Sequence, residues 1–530
     1  MSVTTKTILL LSFTLLFFAC AKPKSEMSAT KPVTSFQEFQ QFAEEAHTVA
    51  ETKNDNECDK NCQQLRQEFR YVVYVGKQVY CYWDRKKEET QRDFSALATD
   101  LEAKIHNDIS VTDYYLLLRK WAAAFHDGHV NVLNKDDMSS MEIYTTPDLR
   151  LEVSAAATER EKVFVSESKI PGLQVGDEVV KLNGKPIKDA ISEVETEVSG
   201  STSRMRRFFG VRRLVDTIGI DQGAHSLEVQ VAREGKVFTI ARKVELNTSP
   251  GKKEDKEATG IDNLKVSILP GNIGYFRLDG FTGSQDDALI DHAMERLSKT
   301  SSLILDLRKN GGGDLSGDRI LARLSNVRLY RYVTSENISP FVLAMRPIYA
   351  LLNPSSKDSG YAEWAPKEVI PSKYYGDKKV VALISPNCFS ACDTFVAGLK
   401  SNHLATLVGE GTGGGTGTPL IFELPVSANK FRYSIVRGKT SDGKWIEGNG
   451  TAPDVLVEVS GEDKKNNKDR ALEIAIEMAG KANGTQSVDA SSIASEIQES
   501  FEPIGRQPLE LSVTKMEHLE LARFFRVDEI

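Results

Sequence analysis

The chain reads as a multidomain α+β protein with a helical amino-terminal domain, a β-rich middle domain and an α/β core, and three observations predict that class. Between Phe36 and about Ala124, apolar residues recur three and four apart, the spacing of one helix face. From Asp148 to Val244 the pattern changes to short β-type runs broken by turn residues. Beyond Gly274, strands alternate with helices, as expected of a largely parallel sheet covered by helices. At 530 residues the chain exceeds what one core usually holds, which fits roughly three domains.

The amino terminus carries Lys6, the apolar run Ile8 to Ala19, and Cys20. This is the anatomy of a bacterial secretory signal, and the run is too short to span a membrane as a helix. Phe17-Phe18-Ala19-Cys20 resembles a lipobox, with Phe17 where leucine is usual; an uncleaved anchor and a plain secretory signal are the other readings. Residues 1–20 are therefore expected to be a lipoprotein signal peptide, Cys20 the lipidation site, and residues 21–35 a flexible tether. The expected location is the bacterial cell envelope, lipid-anchored and periplasmic or surface-facing.

Lys plus Arg number 67 against 75 for Asp plus Glu, a mildly acidic balance that gives no reason to expect nucleic acid as a partner. Five cysteines follow Cys20, so at least one is unpaired within a monomer. Cys58 and Cys62 fit either a small loop disulfide or two buried thiols, and the state of Cys388 and Cys392 is open. With no paired CxxC and no HExxH, neither a metal site nor a cofactor is expected.

The helical domain, residues 36–147, includes QQLRQEFRYVVYVGKQVYCYW and DYYLLLRKWAAAF, and its helices run into His126-Asp127-Gly128-His129. Read structurally, His129 is a histidine beyond a helix end, with Gly128 as the C′ residue. The middle domain, residues 148–247, has one predicted helix, Ile187 to Val198, and a hairpin turn at Asn183-Gly184. Its piece GLQVGDEVVKLNGKPI closely resembles the core signature of PDZ domains, which bind an extended peptide by adding it to a sheet edge. Residues 248–260 are polar and read as a linker, residues 261–480 as the α/β core, and residues 481–530 as a carboxy-terminal extension of no assigned role. Within the core, Tyr330 to Lys378 is a long insertion, either a cleft wall or a packed excursion.

Two places in the core have chemical potential. Val380 to Ile384 is an apolar, β-branched run of strand length; Pro386 and Asn387 end it, and Ala391, Phe395, Val396 and Leu399 recur at helical spacing. Ser390 thus stands where a strand–turn–helix unit opens its helix, either as an N-cap or as a nucleophile facing free backbone N–H groups. The strand Leu303 to Leu307 leads into Arg308-Lys309-Asn310-Gly311-Gly312-Gly313, with no GK[ST] and no dinucleotide spacing. Backbone N–H groups of Gly312 or Gly313, together with that of Ala391, are therefore expected to form an oxyanion hole.

LILDLRKNGGG, VVALISPNCFSACDTFVAGLK, LVGEGTGGGTG and WIEGNGTAPDVLVEV, in that order, closely resemble the core of the carboxyl-terminal processing peptidases, also called tail-specific proteases. The resemblance covers roughly Phe36 to Gly480 and implies a ClpP/crotonase-like catalytic fold, serine endopeptidase activity on protein or peptide substrates, and Ser390 as nucleophile. Many members place a lysine base in a TxGKG segment, but here Thr412-Gly413-Gly414-Gly415 puts glycine at that place. The tricorn-like branch uses a histidine and a glutamate instead, which match His129 and Glu447. Gly128 stands where tricorn has a serine before the histidine, so Glu447 would reach the imidazole directly or through water. An imidazole base predicts activity that rises through a titration near about 6.5. The rival readings are a non-catalytic peptide-binding relative and a crotonase-type acyl-thioester enzyme, the latter disfavoured because nothing points to nucleotide recognition.

Overall fold

The computed structural model describes residues 58–134, 149–215, 226–243, 264–281, 284–345 and 360–481, besides Ser35, Gln37, Glu38 and Gln40. Cys20, the signal segment, the linker 248–260 and residues 482–530 lie outside the described residues. No helix among the described residues is long and apolar enough to cross a membrane.

A six-stranded sheet organises the carboxy-terminal half, in the order β18 (Val455–Leu456), β14 (Thr406–Gly409), β13 (Lys379–Ile384), β10 (Ser302–Asp306), β9 (Ile273–Leu278) and β8 (Leu264–Leu269). All neighbours are parallel except β8, which runs antiparallel at one edge. Strand alternation sends successive side chains to opposite faces. Val380, Ala382 and Ile384 enter one apolar cluster with Leu303, Leu305 and Phe395, while Val381 and Leu383 enter another with Ile304, Leu472 and Ile476. Buried on both faces, β10 and β13 therefore read in the sequence as unbroken apolar runs.

The middle segment is an antiparallel sheet in the order β2 (Leu149–Ser154), β3 (Lys162–Ser168), β4 (Glu178–Leu182), β6 (Ser226–Arg233), β7 (Lys236–Lys243), with the short β5 (Lys185–Pro186) pairing β4. Of the twelve helices used below, α5 (Ile187–Glu195) and α6 (Ser203–Arg213) cover this sheet through Ile191, Val211 and Leu214. The sequence predicts one helix here, and α6 is a second. Its run SRMRRFFGVRR is so rich in arginine that no apolar stripe announces it, yet Thr202 caps it by accepting a hydrogen bond from the Met205 N–H at 3.1 Å.

Amino-terminal helices α1 (Lys60–Val79), α2 (Trp83–Thr90), α3 (Phe94–Glu102) and α4 (Val111–Ala123) do not enclose a core of their own. Phe69, Trp121 and Phe125 pack in one cluster with Leu420, Phe422, Phe431 and Tyr433 from β15 (Pro419–Leu424) and β16 (Asn429–Ser434). Those strands form a three-stranded sheet with β1 (Asn131–Asn134), which directly follows the His126–His129 turn. A hairpin some 300 residues away thus completes the helical layer, the Trp121 indole donating to the Tyr433 hydroxyl at 2.6 Å across a separation of 312 residues. The insertion contributes β11 (Leu329–Glu336) and β12 (Ala365–Val369), which form a third sheet with β17 (Val436–Lys439). The remaining helices are α7 (Ser284–Arg296), α8 (Asp318–Leu324), α9 (Pro340–Met345), α10 (Ala391–Ser401), α11 (Gly461–Lys465) and α12 (Arg470–Lys481). Two of them flank the central sheet, α10 on the face that bears the site and α12 on the other.

Candidate active site

Ser390 occupies the turn between β13 and α10 with φ 58° and ψ −117°, a left-handed backbone that costs a non-glycine residue roughly 1–3 kcal/mol. Its side chain makes no capping bond to the helix. The hydroxyl instead lies 2.9 Å from the His129 Nε2. The turn is held from several sides: the Ser385 hydroxyl donates to the Arg308 carbonyl at 2.7 Å, and a disulfide joins Cys388 to Cys392 on either side of the serine. Cys58 and Cys62 are also bonded, and among the described cysteines Cys81 is a buried free thiol.

His129 is presented by the turn after α4. Buried Asp127 accepts from the His129 N–H at 2.7 Å through Oδ1 and from the hydroxyls of Tyr80 and Ser434 through Oδ2, at 3.1 and 2.8 Å. The imidazole Nδ1 is 3.9 Å from Asp127 Oδ1 and has no hydrogen-bond partner among the described residues. Burial pushes the His129 pKa down to about 4, far from the free value expected from the sequence, so the ring is a neutral acceptor at physiological pH.

Glu447 is fully buried beside the same histidine. Its Oε1 lies 3.0 Å from the buried Lys86 ammonium, its Oε2 accepts from the Thr416 N–H at 3.3 Å, and Arg85 donates to its backbone carbonyl at 2.8 Å. Burial, then the nearby Asp127 carboxylate, pushes the Glu447 pKa up to about 8, against the opposing pull of Lys86. One oxygen of Asp127, one of Glu447 and a ring nitrogen of His129 lie within 4.8 Å of one another. Such a set has the donor types of a cation site, but Lys86 already supplies positive charge to Glu447 and His129 Nε2 faces the serine.

Phe389 fills the space beside both Gly128 and Gly415. Its ring lies over the imidazole with centroids 4.5 Å apart. A Cβ on Gly415 would fall 1.9 Å from the Phe389 Cε2, and a Cβ on Gly128 would fall 2.6 Å from its Cζ. The phenyl ring therefore occupies the space into which a lysine at residue 415 or a serine at residue 128 would project. The neighbouring Asp393 carboxylate accepts from the Gly414 and Gly415 N–H groups at 3.0 and 2.8 Å and fixes this loop against α10.

Gly312 comes up to Ser390, a Cβ there falling 2.8 Å from the Ser390 Cβ. Its N–H, however, donates to Asn310 Oδ1 at 2.9 Å, which corrects its expected place as a free donor: an asparagine two residues earlier closes a local turn on it. Among the described residues, no hydrogen bond occupies the N–H of Gly313 or of Ala391 at the start of α10. Sequence reasoning named Ser390, His129 and Glu447 but missed Lys86, Asp127 and Phe389. The residue order HDGH and the aromatic beside the serine were visible, but what they pair with, Ser434 for Asp127 and the imidazole for Phe389, is set only by folding.

Residues 272–457 match the profile of peptidase family S41. A carboxyl-terminal-processing protease of Synechocystis sp. is 22% identical over 355 residues, covering 65% of this chain and 71% of that one. A probable CtpA-like serine protease of Staphylococcus aureus is 23% identical over 294 residues, covering 55% of this chain and 48% of that protein, so the chain spans about half the length of this relative. Among solved structures, mature CPAF superposes with a TM-score of 0.63 at 14% identity, covering 81% of this chain and 99% of that one, a likeness of fold. Taken with the central sheet and the serine that leads its helix, these similarities mark a serine peptidase of the hydrolase class whose core, residues 272–457, is similar to peptidase family S41.

Proposed function

We propose that this chain is an exported serine endopeptidase that cleaves protein substrates, engaging their carboxyl-terminal tails, with Ser390 as nucleophile and His129 as general base. The observation that carries the reading is the 2.9 Å contact between Ser390 Oγ and the neutral, buried His129 Nε2. A hydroxyl is a weak nucleophile until a base within hydrogen-bond reach takes its proton. In the acylation step Nε2 accepts that proton while Oγ bonds to the scissile carbonyl carbon. The negative charge that forms on the carbonyl oxygen is met by the N–H groups of Ala391 and Gly313. The imidazolium then returns the proton to the leaving amine, and a water molecule, deprotonated by the same ring, releases the acyl group from Ser390.

Glu447 is the orienting carboxylate. A ring nitrogen of His129 and a carboxylate oxygen of Glu447 lie within 4.8 Å of each other, and His129 Nδ1 has no hydrogen-bond partner among the described residues, an arrangement that a bridging water would fit as the link that fixes the tautomer. Tail selection is assigned to the PDZ-like segment 148–247, whose signature runs through β4 and the Asn183-Gly184 turn, and membrane attachment to lipid on Cys20. Steady-state kinetics on a short peptide and on the same sequence fused as a tail test the reading. Ser390→Ala and His129→Ala should each abolish turnover of both, and deleting 148–247 should raise KM chiefly for the tailed protein. A His129→Ala variant that keeps near-native kcat would reject the mechanism.

A further inference from the structure

Lys86 stands in the first turn of α2, where its N–H donates to the Tyr82 carbonyl at 2.8 Å, and its side chain is only 1% exposed. A lysine is almost never buried to this degree unless oxygen atoms meet its charge. Here the ammonium donates to the His126 carbonyl at 2.8 Å and forms ion pairs with Glu447 Oε1 at 3.0 Å and with Glu89 Oε2, on its own helix, at 3.3 Å. One cation therefore meets both the turn that presents His129 and the carboxylate beside it.

Both ends of that bridge need holding. His126 has a left-handed backbone, φ 48°, a conformation that persists in a non-glycine residue only where surrounding contacts impose it. The donation from Lys86 to its carbonyl is one such contact, and three residues on, the His129 N–H is fixed by Asp127 Oδ1. On the other side α2 lies against the turn that follows Glu447. Arg85 donates to the Glu447 carbonyl at 2.8 Å, and at Gly448, with φ +82°, a Cβ would stand 3.4 Å from Lys86 Nζ. Other charged or titratable groups face these two ends from several elements: Arg85 and Glu89 from α2, Tyr80, Cys81 and Tyr82 from the turn before it, Arg92 from the turn after it, Asp127 and His129 from the turn after α4, and Arg206 from α6.

We propose that Lys86 is a positioning residue for the peptidase reaction, its ammonium tying the His126 carbonyl to the Glu447 carboxylate and so holding the turn that aims His129 at Ser390. The inference rests on the assignment of Ser390, His129 and Glu447 made above. Its structural consequence is that helix α2 of the amino-terminal layer completes the catalytic centre, acting through the histidine turn and the glutamate.

The test compares kcat and KM on a short peptide, the pH profile of kcat/KM and thermal melts for the wild type, Lys86→Met, Lys86→Arg, Glu447→Gln, Lys86→Met/Glu447→Gln and Lys87→Met. Lys87, the exposed neighbour on α2, is the control, and its variant should match the wild type. Lys86→Met should lower kcat about tenfold at unchanged KM, as expected for losing a charged donor that acts on the site and not on substrate. It should also move the upper limb to higher pH, because the downward pull of Lys86 on the Glu447 carboxyl is gone. Lys86→Arg keeps the charge and should hold that limb in place. Removing one partner of a buried ion pair can unfold a chain, so the double variant, which removes both charges, carries the test where Lys86→Met does not fold. Its kcat should lie about fivefold below that of Glu447→Gln, since the His126 carbonyl has lost its donor. Wild-type kcat with an unmoved limb in folded Lys86→Met overturns the proposal, as does a double variant no slower than Glu447→Gln, which would leave Lys86 a charge partner and not a tie. A wild type whose Ser390 fails to react with a fluorophosphonate sinks the underlying assignment instead; a labelled wild type with either of those results sinks this inference alone.

Discussion

Replacing Gly415 by alanine is a one-carbon change in the loop packed against Phe389, and its effect can be worked from the structure. The new Cβ would lie 1.9 Å from the Phe389 Cε2, whereas ordinary contact begins at 3.4 Å, so the ring must retreat by 3.4 − 1.9 = 1.5 Å. It is confined by the imidazole, 4.5 Å away centroid to centroid, and by Gly128, where even a Cβ would stand 2.6 Å from the ring. A retreat of that size displaces His129 from its 2.9 Å contact with Ser390. Displacing a reacting group by about 1 Å can cost on the order of 100-fold in rate, and overpacking costs about 1–3 kcal/mol of stability. Gly415→Ala is therefore expected to lose about 100-fold in kcat on a short peptide, with a lowered Tm. Gly415→Lys should be no better, because the lysine stem meets the same ring. Removing the obstruction in Phe389→Ala/Gly415→Ala should recover part of the loss, a non-additive result expected of residues in contact. Stopped-flow turnover and thermal melts on the four proteins make the comparison. A Gly415→Ala enzyme with wild-type kcat and Tm would refute the idea that Phe389 excludes a side chain at this position.

Three further outcomes follow from the site. His129 must be neutral and Glu447 ionised; with these groups at about 4 and about 8, kcat/KM should rise with pH through both, and Glu447→Gln should lower the plateau and remove the upper limb while keeping the lower. His126→Ala should retain most activity, since burial already pushes that ring down to about 3 and it makes no contact with Ser390; loss as deep as that of His129→Ala would contradict the assignment of the base. Gly313→Ala should cost turnover or folding, because a Cβ there would fall 1.7 Å from the Phe281 carbonyl oxygen at φ +127°; wild-type kcat and Tm would remove Gly313 from the oxyanion hole.

The parts legible in the sequence are those that local pattern dictates. The apolar runs of β10 and β13 mark strands buried on both faces, and the serine at the head of an amphipathic helix marks the turn that carries Ser390. Glycine clusters likewise revealed where backbone approaches Ser390, although Asn310 turns one of those N–H groups away. What could not be read are the pairings made by folding. Lys86 meets Glu447 and Ser201 meets Gly128 across long stretches of chain, and neither residue type stands out in its own segment. The helical layer shares its core with β15 and β16 for the same reason: Phe422 and Tyr433 look like ordinary strand residues until Trp121 and Phe125 are packed against them. The histidine titration expected near the free value also fails to account for burial, which only the folded chain reveals.

The most direct test is active-site labelling of the purified chain with a fluorophosphonate, read by peptide mass mapping and by rate at fixed probe concentration. The phosphonyl group should be found on Ser390, with the rate collapsing in His129→Ala to the background of Ser390→Ala, because the probe reacts only with a hydroxyl whose proton the imidazole removes. Label on a different residue, or labelling of Ser390 at an undiminished rate without His129, would contradict the account.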